Sequence, residues 1–184
     1  PAPRNGPGRV PVLIPLSTRR TIAAVLLLLC LSPSGLRAQA ESKGIANRIF
    51  SSAFERKMIE KPIGDVITFV GQQLAGAPYE ANTLDRTASE ELVCNLGAFD
   101  CVTFVENVLA LSRCIKGNRL AYEAYQRELR TLRYRGGVLN GYGSRLHYFT
   151  DWIGDNERKG IVRNVTREIG GVPLRSPIGF MSEH

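Results

Sequence analysis

The sequence predicts a mainly helical globular domain with one short strand, preceded by an apolar leader. Its apolar content of 43% is that of a chain that folds around a core. Apolar side chains recur at helical spacing through residues 43–60, and Pro62 opens a second amphipathic stretch that continues to Leu74. Residues 101–111 are apolar on most faces, which is typical of a buried central helix. A short strand is predicted at 161–170.

The helices are predicted in order from their apolar stripes and their end signals. Asp100 is a good N-cap for the third helix, and Gly117 ends it. Asn118 caps a fourth helix that runs to about Arg135, and a last helix covers 145–157. The inward stripe of the second helix consists of Ile63, Val66, Ile67, Val70 and Leu74.

Residues 1–40 are predicted to be a secretory signal peptide with an upstream extension. Arg19 and Arg20 precede an apolar run at 22–31, and a small-x-small site ends at Ala40, after which cleavage is expected. The run is shorter than the roughly 20 residues that a membrane-spanning helix needs. An uncleaved anchor or a core helix remains the alternative. Export predicts a periplasmic or secreted protein with no stable membrane span after cleavage.

The net charge of +7 comes mainly from the leader. Residues 1–40 hold five arginines and no acidic residue, which leaves 19 basic against 17 acidic side chains in residues 41–184. A nucleic-acid-binding domain needs a basic stripe on its folded surface. The nearly balanced charge of 41–184 therefore argues against a nucleic-acid partner.

Three cysteines remain after the leader: Cys94, Cys101 and Cys114. An odd number in an exported protein leaves at least one free thiol. Their spacings fit no standard zinc pattern, so no metal and no cofactor are predicted. Cys114 falls near the end of a helix, where a structural role is expected, and Cys94 lies in the long connection 79–100.

Cys101 is the candidate nucleophile because it falls in the first turn of the third helix. Thiolates are the reactive form of cysteine, and the unpaired N–H groups and dipole of a helix N-terminus favour a thiolate. The same N–H groups could stabilise an oxyanion during acyl transfer. Burial of Cys101 as a small apolar side chain, or a disulfide with Cys94, are the alternatives.

A cysteine hydrolase also needs a base, which is usually a histidine. The chain has two, His147 and His184. His184 is the last residue, a position where side chains are rarely held in place. His147 lies among aromatic residues in the predicted last helix. Three roles are open for it: the base, a pocket residue, or a hydrogen-bonded structural residue.

Four motifs occur in order: GAPY at 76–79, FDCVTFVE at 99–106, LRYRGG at 132–137 and SRLHYFTDW at 144–152. Together they resemble the N-acetylmuramoyl-L-alanine amidase-like branch of the NlpC-type, papain-like cysteine peptidases. The resemblance covers roughly residues 60–184.

This resemblance implies an α+β, papain-like fold, present here mainly as its helical half with much of the antiparallel sheet missing. Its implied substrates are peptidoglycan fragments (muropeptides), cut at the amide between N-acetylmuramic acid and L-alanine. Cys101 matches the nucleophile, and Tyr79 matches a tyrosine near the thiol. The implied substrate-binding residues are Tyr79, Asp100, Arg145, His147 and Tyr148.

The family's base is a histidine in a His-Val-Gly-like strand after the matched region, and the sequence has no such motif. The chain is therefore expected to be the N-terminal part of the domain, truncated at its C-terminal end. One alternative function is an NlpC-type endopeptidase that cuts after D-glutamate. Another is a non-catalytic, cell-wall-associated fragment. A zinc enzyme is disfavoured by the poor ligand spacing.

Overall fold

The computed structural model describes residues 34–86 and 89–172. The chain divides into two units, Pro1–Ala38 and Gln39–His184, and the fold below concerns the second. The described residues form five α-helices in order: α1 (Ser34–Glu55), α2 (Ile63–Leu74), α3 (Cys101–Lys116), α4 (Tyr122–Arg133) and α5 (Phe149–Arg158). Short 3₁₀ helices lie at Met58–Glu60 and Tyr142–Ser144, and Arg135–Gly137 forms a turn in which Gly136 has a non-helical backbone.

The helical part of the predicted fold is confirmed, whereas its sheet is absent from the described residues. Within 34–86 and 89–172 the backbone forms two isolated bridges and no strand. Tyr79 pairs with Phe99 in parallel, and Tyr134 pairs with Arg145 in antiparallel fashion. The α+β class is thus not shown by this part of the chain.

The strand predicted at 161–170 is wrong over those described residues, which fold into local turns. Asn164 Oδ1 accepts a hydrogen bond from the N–H of Thr166 over 3.0 Å. The carbonyl of Thr166 in turn accepts from the N–H of Gly171 over 2.8 Å. Side-chain-to-backbone bonds of this kind compete with a strand ladder and favour turns.

The predicted leader lies mostly outside the described residues. The expected cleavage position after Ala40 falls within α1, and Ser42 is 1% exposed. Ser42 Oγ accepts a hydrogen bond from the N–H of Leu96 over 3.1 Å. Leader cleavage and the domain boundary at residue 41 stay predictions. No described helix has both the length and the apolar character that a membrane span requires.

Helix α3 is central, and its ends are as predicted. Asp100 is the N-cap, and Gly117 is the C-cap. Helices α2 and α4 both pack against α3. The buried side chains of α3 include Val108, Leu111 and Ile115. The capped, apolar sequence therefore places one end of a core helix at Cys101.

Helix α2 begins after Pro62 as predicted, but its stripe is displaced. Ile63 and Ile67 are 45% and 37% exposed, whereas Phe69 is 6% exposed. The buried face consists of Val66, Phe69, Val70 and Leu74. The side chain of Phe69 is larger than that of an isoleucine and gains more from burial. The helix therefore faces Phe69 toward the core and leaves Ile63 and Ile67 at its edge.

The predicted starts of the last two helices are wrong. Helix α4 is capped by Ala121, and Asn118 occupies a turn with φ of +50°. Helix α5 starts at Phe149 instead of residue 145. The N–H of Leu146 donates to the carbonyl of Arg133 over 3.0 Å, so this stretch is extended against the end of α4 and cannot be helical.

A buried ion pair joins three helices inside the core. Arg133 Nε donates to Glu106 Oε2 over 2.7 Å, and both side chains are 2% exposed. Trp152 Nε1 donates to the other oxygen of Glu106 over 3.2 Å. Burial by itself lowers the pKa of Arg133, but the charge and hydrogen bond of Glu106 outweigh burial and raise it.

Asp155 fixes the glycine turn that follows α4. Its Oδ2 accepts from the N–H of Gly136 over 3.1 Å and lies 2.8 Å from Lys159 Nζ. Gly136 has a φ of +58°, a conformation that glycine adopts without strain. Burial by itself raises the pKa of Asp155, but the hydrogen bonds from Lys159 and Gly136 outweigh burial and lower it.

We expect Glu106→Gln to reduce the free energy of unfolding by about 3 kcal/mol or more, because Arg133 keeps a buried charge without its counter-charge. Glu168→Gln is the matched control, since Glu168 pairs with Arg163 at a surface where the two side chains are 55% and 70% exposed. The control should lose less than about 1 kcal/mol. Urea denaturation measures both variants. An equal loss of unfolding free energy in the two variants would show that the buried pair is no more important for stability than the surface pair.

We expect the stability advantage of the wild type over Asp155→Asn to depend on pH. The folded-state pKa of Asp155 is lowered. Its contribution is therefore fully present above the unfolded value of about 3.9 and is lost as pH falls through the folded value. Urea denaturation of both proteins between about pH 6 and pH 2 measures the difference. A difference that stays constant down to the lowest pH would show that the charge contributes nothing.

Candidate active site

Cys101 is the first residue of α3, and its side chain is free and exposed. The preceding backbone is held against another segment. The N–H of Phe99 donates to the carbonyl of Pro78 over 3.1 Å, and the N–H of Glu80 donates to the carbonyl of Phe99 over 2.9 Å. The thiol therefore sits at an ordered helix start that reagents can reach.

Asp100 and Thr103 form a reciprocal capping box at this helix start. Asp100 Oδ1 accepts from the N–H of Thr103 over 2.7 Å, and Thr103 Oγ1 accepts from the N–H of Asp100 over 2.9 Å. This box leaves the N–H groups of Cys101 and Val102 without a partner inside the helix. Such N–H groups at a helix N-terminus can stabilise a developing negative charge.

The other two described cysteines differ from Cys101 in their surroundings. Cys114 is 0% exposed, and burial together with the carboxylate of Glu128 raises its pKa to about 12. Cys94 is half-buried, and burial raises its pKa as well. Neither forms a disulfide, so the pairing of Cys94 with Cys101 that the sequence left open is not made.

The structure places Tyr79 next to the helix start. Tyr79 forms the parallel bridge with Phe99, two residues before Cys101, and its side chain is 75% exposed. Neighbouring strands in such a pairing lie about 4.8 Å apart. Tyr79 and Cys101 therefore lie at the same end of α3. One carboxylate oxygen of Asp100 is used in the helix cap, where it accepts from the N–H of Thr103.

Arg145 is buried and committed to carboxylates. It is 6% exposed, it pairs with Asp85, and its Nε lies 3.3 Å from Glu90 Oε1. Its guanidinium also lies 5.1 Å from the centre of the Tyr142 ring. Its Nη2 is taken by Asp85, and a direct substrate contact by Arg145 stays a prediction.

His147 lies before α5, in contrast to the predicted helical position. Its Nε2 is 2.9 Å from the carbonyl oxygen of Tyr142, and the rings of His147 and Tyr142 are tilted by 35° with centroids 4.1 Å apart. A carbonyl can only accept, so Nε2 donates this hydrogen bond. Tyr148, the N-cap of α5, is 49% exposed, and His184 lies outside the described residues.

A set of buried charged side chains in this part of the fold was not predicted from the sequence. Glu90 accepts from Tyr134 Oη over 2.8 Å, and Arg133 Nη1 donates to the carbonyl of Val93 over 2.6 Å. One signal was available for Glu106, which is a lone carboxylate within an apolar helical run and therefore needs a buried partner. Glu90 lies in a segment without periodicity, which gave no such signal.

Two surface cavities lie at the other end of α3. They have volumes of about 560 and 410 Å³, and both are lined by Phe54, Glu55 and Leu120. The smaller one also includes Ile115, which is roughly 21 Å along the helix from Cys101. Neither cavity contains a predicted site residue. Within residues 34–86 and 89–172, no group of three or more His, Cys, Asp or Glu side chains could hold a metal ion.

A family model described as AmiA-like, N-acetylmuramoyl-L-alanine amidase-like, matches residues 69–183. The chain belongs to this family. The match includes the helix start at Cys101, the bridge at Tyr79 and the segment from Tyr142 to Tyr148. A search among curated proteins found no match.

Solved structures resemble the AmiA-like chain. An N-acetylmuramoyl-L-alanine amidase from Bacteroides uniformis is 38% identical with a TM-score of 0.60, covering 66% of this chain and 51% of its own. A Bacteroides fragilis protein provisionally named a xylanase is 36% identical with a TM-score of 0.56, covering 62% and 50%. The chain thus spans about half the length of these proteins.

A Legionella pneumophila protein of the DUF1460 family is 20% identical with a TM-score of 0.62, covering 74% of this chain and 44% of its own. At this identity the likeness shows the fold alone.

We expect iodoacetamide near pH 8 to alkylate Cys101 faster than the other two described cysteines. Cys114 is buried with a pKa raised to about 12, so its thiolate fraction at that pH is about one in ten thousand. Peptide mapping by mass spectrometry reads each cysteine separately in the intact chain. Equal rates at Cys101 and Cys114, without denaturant, would contradict the exposed helix start.

Proposed function

We propose that this protein is a cysteine-dependent N-acetylmuramoyl-L-alanine amidase of the NlpC-type, papain-like superfamily. The proposal rests on the exposed Cys101 thiol at the capped start of α3, in a chain of the amidase-like family. Its substrates are peptidoglycan fragments in which L-alanine is joined by an amide to N-acetylmuramic acid. Export by the predicted signal peptide would bring it to the periplasm or the exterior, where such fragments occur.

In the proposed reaction a base takes the proton of the Cys101 thiol. The thiolate attacks the lactyl carbonyl carbon, and the carbonyl oxygen becomes an oxyanion near the N–H groups of Cys101 and Val102. The C–N bond then breaks, and the L-alanine amine leaves with the proton that the base returns. Water hydrolyses the thioester, which releases the sugar acid and regenerates the thiol.

The proposal gives the base role to a histidine other than His147. The Nε2 of His147 bonds to the carbonyl of Tyr142, and the imidazole packs at a tilt against the Tyr142 ring within the same segment. We assign His147, Tyr148 and Tyr79 to the substrate pocket, since all three present exposed ring surface. A histidine outside the described residues would then complete the reacting pair.

The same thiol would also serve an endopeptidase, so the position of the cleaved bond is the finer question. An amidase releases free N-acetylmuramic acid, whereas cleavage after D-glutamate leaves L-alanine attached to the sugar. The name of the Bacteroides fragilis neighbour raises glycoside hydrolysis as a third outcome. That reaction uses a pair of carboxylates and does not require a thiol.

We expect the full-length gene product to release N-acetylmuramic acid from a muramyl tripeptide, and Cys101→Ala to reduce kcat by at least about 10⁴-fold. The reason is that the variant lacks the atom that forms the thioester. Mass spectrometry of the products identifies the cleaved bond. Glu168→Gln, a change in the exposed pair with Arg163, should retain activity within about threefold.

Three results would contradict the proposal. Unchanged turnover in Cys101→Ala would remove the thiol from the mechanism. Release of a muramyl dipeptide would replace the amidase by the endopeptidase. Release of xylo-oligosaccharides from xylan by the wild type and by Cys101→Ala alike would assign the protein to glycoside hydrolysis.

A further inference from the structure

Glu90 is a buried carboxylate between two separate elements. Its side chain is 5% exposed, and its Oε1 accepts from Tyr134 Oη over 2.8 Å. Arg145 Nε lies 3.3 Å from the same oxygen, and the guanidinium also contacts Asp85. Burial and the hydrogen bond to Glu90 raise the pKa of Tyr134, so its hydroxyl remains a donor. These contacts join Glu90 to the end of α4 and to the segment before α5.

The segment 91–100 leads from this cluster to the nucleophile and is tethered along its length. Arg133 Nη1 donates to the carbonyl of Val93 over 2.6 Å. The N–H of Leu96 donates to Ser42 Oγ over 3.1 Å in the buried interior. The bridge between Tyr79 and Phe99 described above holds the last part of the segment. These contacts at Val93, Leu96 and Phe99 hold the backbone that leads into α3 in one conformation.

We infer that Glu90 is a positioning residue for the Cys101 site, held by Tyr134 and Arg145 and acting through segment 91–100. This inference rests on the proposed amidase function. Glu90 does not touch the substrate; it fixes where the thiol and the N–H groups of Cys101 and Val102 stand. The buried Arg145 belongs to the same positioning cluster, which gives it a role other than substrate contact.

The test compares Glu90→Gln with Glu91→Gln in the full-length protein. The side chain of Glu91 is exposed, and only its backbone carbonyl contacts Tyr134 Oη, over 3.1 Å, so the control makes the same chemical change without altering a side-chain contact of the cluster. Small displacements of reacting groups lower the rate strongly, and we expect Glu90→Gln to lower kcat about tenfold with KM within about twofold. We also expect amide hydrogen exchange of residues 91–100 to rise about fivefold or more, while α2 stays unchanged. Glu91→Gln should match the wild type in both measurements.

Each outcome decides the inference. A raised KM with unchanged kcat would make Glu90 a substrate-binding residue and overturn positioning, as would identical behaviour of the two variants. If the wild type cleaves no muropeptide, the proposed function fails. The positioning role of Glu90 is then judged without activity, from the hydrogen exchange of residues 91–100 and the rate of Cys101 alkylation in the two variants. If Glu90→Gln does not fold, Tyr134→Phe removes one hydrogen bond to Glu90 and is judged by the same measurements. Arg145→Lys, which keeps the charge, should retain more activity than Arg145→Ala.

Discussion

The buried pair of Arg133 and Glu106 is the contact on which the rest of the domain depends. Glu106 belongs to α3 and Arg133 to α4, while Trp152 of α5 donates to the same carboxylate. Arg133 also holds the carbonyl of Val93 in the segment before the nucleophile. A buried charge without its partner is costly, so the core forms only when these elements meet in one arrangement. The position of Cys101 is a consequence of that arrangement.

A second layer of polar contacts converts this core into an ordered site. The capping box of Asp100 and Thr103 fixes the first turn of α3, and Glu90 with Tyr134 and Arg145 fixes the backbone further upstream. The capping box and the bond from Tyr134 Oη to Glu90 satisfy polar groups with hydrogen bonds, whereas Arg145 approaches Glu90 as an ion pair. Stability and placement of the thiol therefore come from the same hydrogen bonds, so changes in this layer are expected to affect both.

Local signals predicted both ends of α3, but they misplaced the start of α4, where Asn118 forms a local turn, and the start of α5. Asp100 and Gly117 mark the ends of α3 because caps act within a few residues. The start of α5 was wrong because Leu146 bonds to the carbonyl of Arg133, which no short window reveals. The pairing of Glu90 with Arg145 joins residues 55 positions apart, and their types alone do not specify it. The place of Cys101 in the first turn of α3 was predicted correctly because it depends on a local helix start, and its catalytic role stays a prediction.

The apolar sequence of α3 was expected to be buried on most sides, yet one face is open among the described residues. Val105 is 41% exposed and lies four residues from Cys101, so the two share a helix face. The faces that carry Val108 and Leu111 are covered by the core. Apolar content measures how much of a helix can be buried, but the direction of burial follows from which face carries both the large apolar side chains and Glu106, whose carboxylate pairs with Arg133 in the core. A rotation of α3 that exposed Glu106 would break that pair, and the rotation that keeps it leaves the thiol on the face that the described residues do not cover.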